Sequence, residues 1–398
     1  MNIKGLMAIT FLCISFSLVK AQQSDMLFVK IERLFTVKER MFSGDLVAVK
    51  WKNSLIKDGD NLLSIKPGSV MDKQQNPPSS SKHDYMSLAP YYWPDSSKPG
   101  SIPYIRKDGE RNPEVHLITD HAKADQLEKA VQTLAIAYYY SGEEKYAKKA
   151  SQFLHVWFLD STTKMNPNLQ FAQAIKGVND GRGTGLIETI GFSTILNVVG
   201  LLDGSKYWTK EDKIQLKQWF SDYLNWMLES ANGKAERKAK NNHGIWYDMQ
   251  ILSIELYLGK KEMAKEFVTT TINRIANQIE PDGRMPLELT RTAALSYSTF
   301  CLEAWFKTAT LADNIGVDLW HYTTSDGRSI KKAIDWLLPY ALGEKKWEYK
   351  QIHDYSKKQL YYILLVAADK YQDSHYYNLA MTLKNKESNK IVEIFYDK

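Results

Sequence analysis

A helical period that begins near Asp125 is the feature that most constrains the fold. Apolar residues recur at helical spacing from Leu127 to Tyr138, the stretch "SGEEK" interrupts them, and the same spacing resumes from Ala147 to Trp157. This pattern predicts two helices joined by a short turn, which is an αα-hairpin.

Further hairpins follow along the chain. The same periodicity predicts helix pairs at about 186–201 with 210–228, 244–258 with 261–279, 292–311 with 329–342, and 357–371 with 375–385. Thr209 followed by Asp212 is typical of a capping box. Strand patterns are scarce, and each hairpin is too thin to bury its apolar face alone. The sequence therefore predicts an all-α fold, a closed or nearly closed α/α toroid. An open α-solenoid is the alternative, against which stands the absence of a fixed-period repeat.

The segment from about Ser64 to Glu114 differs from the helical remainder because Pro, Ser, Gly and Tyr dominate it. A loop of this length in a compact domain is usually functional or disordered. Its aromatic density argues against disorder, with Tyr85, Tyr91, Tyr92, Trp93 and Tyr104. We expect an ordered, aromatic-rich loop that lies over the mouth of the toroid.

Residues 1–21 have a charged start, an apolar run from about Leu6 to Val19 and a small-residue cleavage pattern that ends at Ala21. This pattern predicts a signal peptide, and therefore a periplasmic or secreted protein with a single domain over 22–398. No later stretch reads as a membrane span. The mature chain keeps one cysteine, Cys301, in an apolar run that suggests a buried residue.

The formal charge of +6 falls to +4 when the signal peptide, with Lys4 and Lys20, is removed. This mildly basic balance suits an acidic polysaccharide or small molecule, and it is too small and dispersed to indicate nucleic acid binding. The histidines are scattered without metal-ligand spacing, so we expect no metal and no cofactor.

Three segments concentrate polar residues where helices should begin, and such ends converge at one rim of a toroid. They are "KMNPNLQFAQAIKGVNDGRGTGLIET" (164–189), "NNHGIWYDMQ" (241–250) and "DGRMPLELTRTAALSYSTF" (282–300). The side chains they offer are the amides of Asn168, Gln170, Gln173, Asn241 and Asn242, the cations Arg182, Arg284 and Arg291, the imidazole of His243, and the phenols of Tyr247 and Tyr297.

This set of groups suits β-elimination from a uronate polysaccharide. Removing the proton α to a carboxylate builds up negative charge, which amides, His or Arg bound to the carboxylate would offset. A Tyr or His would serve as the base, and a donor would protonate the departing oxygen. Aromatic side chains of the long loop would stack on sugar rings.

Each of these features also has a simpler interpretation. Asn241 or Asn242 is a good helix N-cap, Arg291 and Tyr297 could be a solvated face and a core phenol, and Arg182 could pair with an acid in a glycine-rich loop. A glycoside hydrolase is the main enzymatic alternative, since acids lie near the same rim, namely Glu188, Asp248, Glu280, Asp282 and Glu288. A non-catalytic glycan-binding protein is a second alternative.

Taken together, the three segments and the upstream "HDYMSLAPYYWPD…PYIRKDGERNPE" resemble the alginate lyase domain family, in order from about residue 83 to 340. The resemblance implies an α/α toroid that cleaves β-1,4-linked uronate polymers by elimination. It also implies that Asn242 and His243 neutralise the substrate carboxylate, that Arg291 assists, and that Tyr297 transfers the proton. The substrate contacts we predict are Tyr91, Tyr92, Trp93, Arg106, Asn168, Gln173, Arg182 and Tyr247.

One spacing departs from the family pattern. Arg291 and Tyr297 are one residue closer together than in mannuronan-active members, which on a helix is about 100° of rotation. Either the local helix differs, or the role of the arginine moves to Arg284 or Arg182. Mannuronate and glucuronate differ only at C2, whereas elimination involves C4 and C5, so the predicted residues suit both and do not choose between them. Guluronate inverts C5 and would need a differently placed base.

Overall fold

The structure is a computed structural model that describes residues 26–387 and 390–396. The predicted signal peptide lies outside the described residues. The α-helices are α1 Ile31–Phe42, α2 Leu46–Leu63, α3 Asp120–Ser141, α4 Glu144–Leu154, α5 Phe192–Val198, α6 Lys210–Glu229, α7 Ala231–Arg237, α8 Asn242–Tyr257, α9 Lys261–Thr271, α10 Asn273–Gln278, α11 Pro286–Leu289, α12 Ala294–Asp313, α13 Ile330–Leu342, α14 Lys358–Lys370, α15 Ser374–Glu387 and α16 Lys390–Tyr396.

Consecutive helices pack as antiparallel neighbours, as α3 does on α4 and α14 on α15, while α8 packs against α12. At the C-terminal end of the described chain α16 contacts α1 and α2, and the Trp51 indole donates a 2.7 Å hydrogen bond to Glu393. The predicted all-α fold and the α/α toroid are confirmed. The predicted capping box at Thr209 and Asp212 is present.

Two regions differ from the predicted helices. Helices α1 and α2 were not predicted, because they precede the region near residue 125 in which a clear helical periodicity begins. The helix predicted at 186–201 is broken into a 3₁₀ segment Gly183–Thr189, the helix α5 and a second 3₁₀ segment Val199–Leu202. By length and apolar composition Gly183–Leu202 passes as a membrane span, contrary to the prediction from sequence. Its most apolar window is 67% buried within the protein, as expected of a core helix.

The long loop between α2 and α3 is ordered by two short strand pairs. Strand β1 (Met86–Leu88) pairs in parallel with β4 (Phe171–Ala174), and β2 (Tyr92–Trp93) pairs antiparallel with β3 (Ile105–Arg106). The β1–β4 pairing joins the loop to the first of the three polar segments, and the β2–β3 pairing closes a hairpin within the loop.

A buried ion pair fixes the loop to the start of α3. The Lys73 ammonium lies 2.9 Å from Asp120, and both side chains are fully buried. Lys73 also donates hydrogen bonds to the carbonyls of Val70 and Lys82. Burial raises the pKa of the Asp120 carboxyl to about 6, although the Lys73 charge opposes the rise. Because a buried charge without its partner is costly, the pair holds the loop in place.

Helix α8 is buried on all sides through most of its length, and it includes one acid whose ionisation should limit stability. Glu255 is 2% exposed, and within the described chain one of its carboxylate oxygens has no hydrogen-bond partner. Burial raises the pKa of this carboxyl from 4.5 to about 7. Between these values the folded protein binds more protons than the unfolded chain, so the free energy of unfolding falls as pH rises.

We therefore expect Glu255→Gln to raise the free energy of unfolding by about 2 kcal/mol at pH 8 and to change it little at pH 4. Urea denaturation at both pH values measures this. The exposed Glu262→Gln is the matched control. Equal stabilisation at pH 4 and pH 8 would show that the effect does not arise from ionisation.

Candidate active site

A cavity of about 560 Å³ opens at one rim of the toroid, where the three polar segments and the long loop meet. Nine of the predicted site residues line it: Tyr91, Tyr92, Arg106, Gln173, Arg182, Asn242, His243, Arg291 and Tyr297. Most of the site residues predicted from the sequence therefore surround one cavity.

Three predicted substrate contacts are not among its lining residues. Tyr247 is 1% exposed and its hydroxyl donates to the Met227 carbonyl, because every face of α8 is covered at this level. The Asn168 amide donates to Asp84, and the Trp93 indole donates to the carbonyl of Glu110. We correct the assignment of Tyr247 to a structural role, whereas the substrate contacts of Asn168 and Trp93 stay predictions.

Asn242 begins α8 and is completely buried. Its backbone N–H and its Nδ2 donate to the two carboxylate oxygens of Glu288, at 2.6 and 2.7 Å. Glu288 thus caps the helix, whereas Asn241 occupies the N-cap position without a side-chain cap hydrogen bond. Burial raises the pKa of the Glu288 carboxyl, and the hydrogen bonds from Asn242 oppose that rise.

His243 follows Asn242 and is held by a second buried acid. Its Nδ1 lies 2.6 Å from Glu236 Oε1, and the Glu236 side chain is 3% exposed. A carboxylate at Nδ1 fixes the orientation of the ring and leaves Nε2 for a ligand. Glu236 stands seven residues before His243 on α7, and no motif in the sequence marked it.

Tyr297 lies in the first turn of α12 with its phenol directed to the long loop. Its hydroxyl donates a 2.8 Å hydrogen bond to the Tyr91 hydroxyl, and the Arg291 guanidinium lies 3.5 Å from the centre of its ring. Burial raises the pKa of the Tyr297 phenol above its ordinary 10.0, and the Arg291 charge opposes this rise. A cation at this distance stabilises the phenolate that a proton acceptor requires.

Arg291 precedes α12 rather than lying in it, which corrects the interpretation of its spacing. Its Nη2 donates a 2.8 Å hydrogen bond to Asp108 on the long loop, and the Thr292 N–H donates to the same carboxylate at 3.0 Å. Because Arg291 lies in the turn between α11 and α12, outside both helices, the rotation of about 100° per helical residue does not apply to Arg291 and Tyr297.

The Asp108 contact also fixes the loop. Burial alone would raise the pKa of the Asp108 carboxyl, but hydrogen bonds from Arg291 and Thr292 outweigh it and hold the pKa well below 3.8. At the next residue, Gly109, an added Cβ would lie 2.4 Å from the Thr292 hydroxyl, so only glycine allows this approach. Asp108 lies in the "RKDGERNPE" stretch, but its partner 183 residues away was not predictable.

Arg284, the other candidate arginine in this segment, pairs with Asp282 and does not line the cavity. Arg182 does line it, and its Nη2 donates a 2.8 Å hydrogen bond to Gln173 Oε1. Gln173 has a positive φ of 52°, an uncommon backbone conformation for a residue other than glycine. Its N–H donates to the Ser87 hydroxyl, which fixes it against the loop.

The acids that favoured a hydrolase do not form a catalytic pair. Asp248 is buried against Arg274 and Thr271, and Glu288 lies beneath Asn242. Glu280 lies 3.7 Å from Arg328, and Asp282 pairs with Arg284. Only Glu188 of the five lines the cavity, where one of its oxygens accepts hydrogen bonds from Tyr85 and Ser87.

Within residues 26–387 and 390–396, no group of three or more His, Cys, Asp or Glu side chains is arranged to hold a metal ion. That the reaction needs no cofactor stays a prediction. Cys301 is buried, as expected, and burial raises the pKa of its thiol.

A rim cavity on an α/α toroid, lined by a phenol, an imidazole, an amide and guanidinium groups, together with the matches below, defines the protein as a polysaccharide lyase. The chain belongs to the alginate lyase family, whose profile matches residues 69–347. The family predicted from the sequence is confirmed.

Solved structures agree with this assignment. A crystal structure of an alginate lyase from Bacteroides ovatus is 38% identical, with a TM-score of 0.89 over 94% of this chain and 99% of that one. Alginate lyase A1-III from Sphingomonas species A1 is 14% identical, with a TM-score of 0.55 over 86% and 94% of the two chains. A variant of A1-III in complex with a tetrasaccharide gives 15% identity and a TM-score of 0.59 over 95% and 98%. The A1-III matches show the shared fold. A comparison with curated proteins gives no match.

Proposed function

We propose that this enzyme cleaves a β-1,4-linked polyuronate, either the mannuronate blocks of alginate or glucuronan, by β-elimination. The 38% identical Bacteroides ovatus protein is an alginate lyase, and the A1-III fold accommodates a tetrasaccharide. The observation that carries the proposal is the Tyr297 phenol in the cavity, beside a guanidinium and close to the Asn242–His243 pair.

Tyr297 supplies the proton transfers in this mechanism. Its phenolate takes the proton from C5, the C4–O bond breaks, and a C4=C5 double bond forms. The departing O4 oxygen then receives the same proton from the phenol, which regenerates the phenolate. In mannuronate and glucuronate the C5 proton and O4 lie on one side of the ring, so one group can serve both steps.

The substrate carboxylate is the group whose charge grows as the C5 proton leaves. His243 Nε2 and the first turn of α8 face the site where this carboxylate would lie, and the positive end of a helix favours an anion. The buried acids Glu236 and Glu288 hold His243 and Asn242 in fixed orientations, so little reorganisation is needed during the reaction.

A comparison of four polymers tests the proposal. The protein is incubated with polymannuronate, polyguluronate, mixed alginate and glucuronan, each with and without a chelator. We expect near-ultraviolet absorbance from the conjugated double bond to rise with polymannuronate or glucuronan, with chelator present, and to rise much more slowly with polyguluronate. New reducing ends without absorbance would instead establish a hydrolase, and binding without new ends would establish a glycan-binding protein.

Export is a separate proposal, which rests on residues 1–21 alone. N-terminal sequencing of the protein recovered from its native host should begin at Gln22. A start at Met1 would contradict it.

A further inference from the structure

The cations that line the cavity differ in whether an acid already balances their charge. The Arg291 guanidinium pairs with Asp108 at 2.8 Å, and the Arg106 guanidinium pairs with the same carboxylate at 2.6 Å. Each of these groups therefore offers a substrate anion a charge that a carboxylate already offsets in part.

Arg182 is the exception among the largely buried cations of the cavity. In the part of the chain that the structure describes, no carboxylate lies within 4.0 Å of its guanidinium, and its Nε is buried without a hydrogen-bond partner. Its neighbours are the neutral Gln173 amide and the Tyr92 ring, whose centre lies 5.1 Å away, and the Glu236 charge acts on it from beyond 4.0 Å. Among the described residues Arg111 also has no acid partner within 4.0 Å, but it is exposed, so water solvates it.

An unbalanced guanidinium in such a place is costly to the folded protein. Arginine stays charged in proteins, and removing a charge from water without a counter-charge is unfavourable. Burial lowers the pKa of the Arg182 guanidinium, which expresses the same cost. A bound anion would recover that cost, whereas a neutral ligand would not.

The backbone around Arg182 is held rigidly. The Arg182 N–H donates to the Ala172 carbonyl at 3.0 Å. A Cβ added at Gly181 would lie 2.1 Å from the Gln170 carbonyl oxygen, and one added at Gly183 would lie 2.6 Å from the Asn232 carbonyl oxygen. Since these glycines allow contact with the β4 strand on one side and α7 on the other, the "DGRG" stretch fixes where the guanidinium begins.

We propose that Arg182 is the main anchor for a uronate carboxylate and thereby sets the preference of this cavity for acidic over neutral β-1,4-linked sugars. The inference rests on the proposed function, and it gives Arg182 a specific role among the predicted substrate contacts. A hydrogen-bonded pair that involves charged groups contributes enough for about a 10- to 100-fold change in affinity.

The test measures equilibrium binding in a Tyr297→Phe background, so that the ligand is not consumed. The two probes are a β-1,4-mannuronate tetrasaccharide and β-1,4-mannotetraose, which share ring stereochemistry and differ in the carboxylates. We expect Arg182→Met to weaken binding of the acidic tetrasaccharide about 10- to 100-fold, to leave the weaker binding of mannotetraose unchanged, and to flatten the salt dependence of the acidic ligand. The affinity of Arg182→Lys for the acidic tetrasaccharide should lie between those of the parent and Arg182→Met, because lysine keeps the charge but not the planar guanidinium.

Arg111→Met is the matched control, since its exposed side chain lines the same cavity. An equal loss in this control, or Arg182→Met binding within threefold of its parent, would overturn the inference. Thermal melting without ligand adds an independent readout, because Arg182→Met leaves no carboxylate unpaired and should melt at the parent temperature or above it. Should Arg182→Met fail to fold, Arg182→Gln and Arg182→Lys carry the same comparison. If the parent protein binds neither of these tetrasaccharides nor a β-1,4-glucuronate tetrasaccharide, the proposed function fails as well.

Discussion

Replacing Tyr297 with Phe is expected to lower kcat by about 10³-fold or more while substrate affinity changes little. In the proposed mechanism the phenol oxygen both takes the C5 proton and returns it to O4, and phenylalanine keeps the ring that packs against Arg291. Initial rates from the absorbance of the unsaturated product measure kcat and KM. Calorimetric titration with a mannuronate tetrasaccharide measures affinity separately.

Tyr207→Phe is the control for this substitution, since Tyr207 is partly exposed and does not line the cavity. It should leave both kcat and KM unchanged. If Tyr297→Phe retained a tenth of the parental kcat, the proton would have to be moved by another group, and His243 Nε2 would then be the first candidate. Tyr91→Phe tests whether Tyr91 only supports Tyr297. This variant removes only the acceptor of the Tyr297 hydrogen bond, so it should lower kcat much less than Tyr297→Phe does.

The sequence was most informative where structure is local. Periodicity predicted the helix pairs because apolar spacing reports which face of a helix is buried. The same logic failed for Tyr247, since α8 is buried on every face and spacing alone cannot tell the cavity side from the core side. The sequence did not predict that the 186–201 helix is broken, because its apolar residues fit a helical period whether the segment is one helix or three shorter ones.

The acids that hold the site residues in place were not predicted from the sequence, for a different reason. Glu288 caps the helix that Asn241 was expected to cap, from 46 residues away, and Asp108 fixes Arg291 from 183 residues away. No pattern within a short window reports such partners. The resemblance to the family named the residues that we predict to face the substrate, whereas the acids that bind them could be identified only from the three-dimensional structure.

The acids behind the site residues separate the positioning of catalytic groups from the attraction of the substrate. Arg291, His243 and Asn242 are held in place by Asp108, Glu236 and Glu288, and the Asp108 carboxylate also offsets the charge of Arg291. Such an arrangement favours precise placement of groups around the reacting carbons. The net attraction for a polyanion must then come from cations without an acid partner.

Arg291→Met is the second change for which we expect a large effect, a decrease in kcat of about 10²-fold. Without the guanidinium, burial is no longer opposed by a nearby positive charge, so the pKa of the Tyr297 phenol rises further. Because the phenolate is the proton acceptor, the rise of kcat with pH should move to higher pH. Rate–pH profiles of the variant and the parent protein measure this shift. Arg284→Met, which removes an exposed arginine seven residues earlier, should leave the profile unchanged.

Arg291→Met also leaves the Asp108 carboxylate without its main partner, which should cost about 2 kcal/mol of folding free energy. A second substitution, Asp108→Asn, separates this loss from the catalytic effect. The double variant Arg291→Met/Asp108→Asn should recover most of the lost stability, because no unpaired carboxylate remains, yet it should not recover kcat. Recovery of both would mean that Arg291 acts only by fixing the loop. Recovery of stability alone would place the guanidinium in the chemistry, as its 3.5 Å distance from the Tyr297 ring indicates.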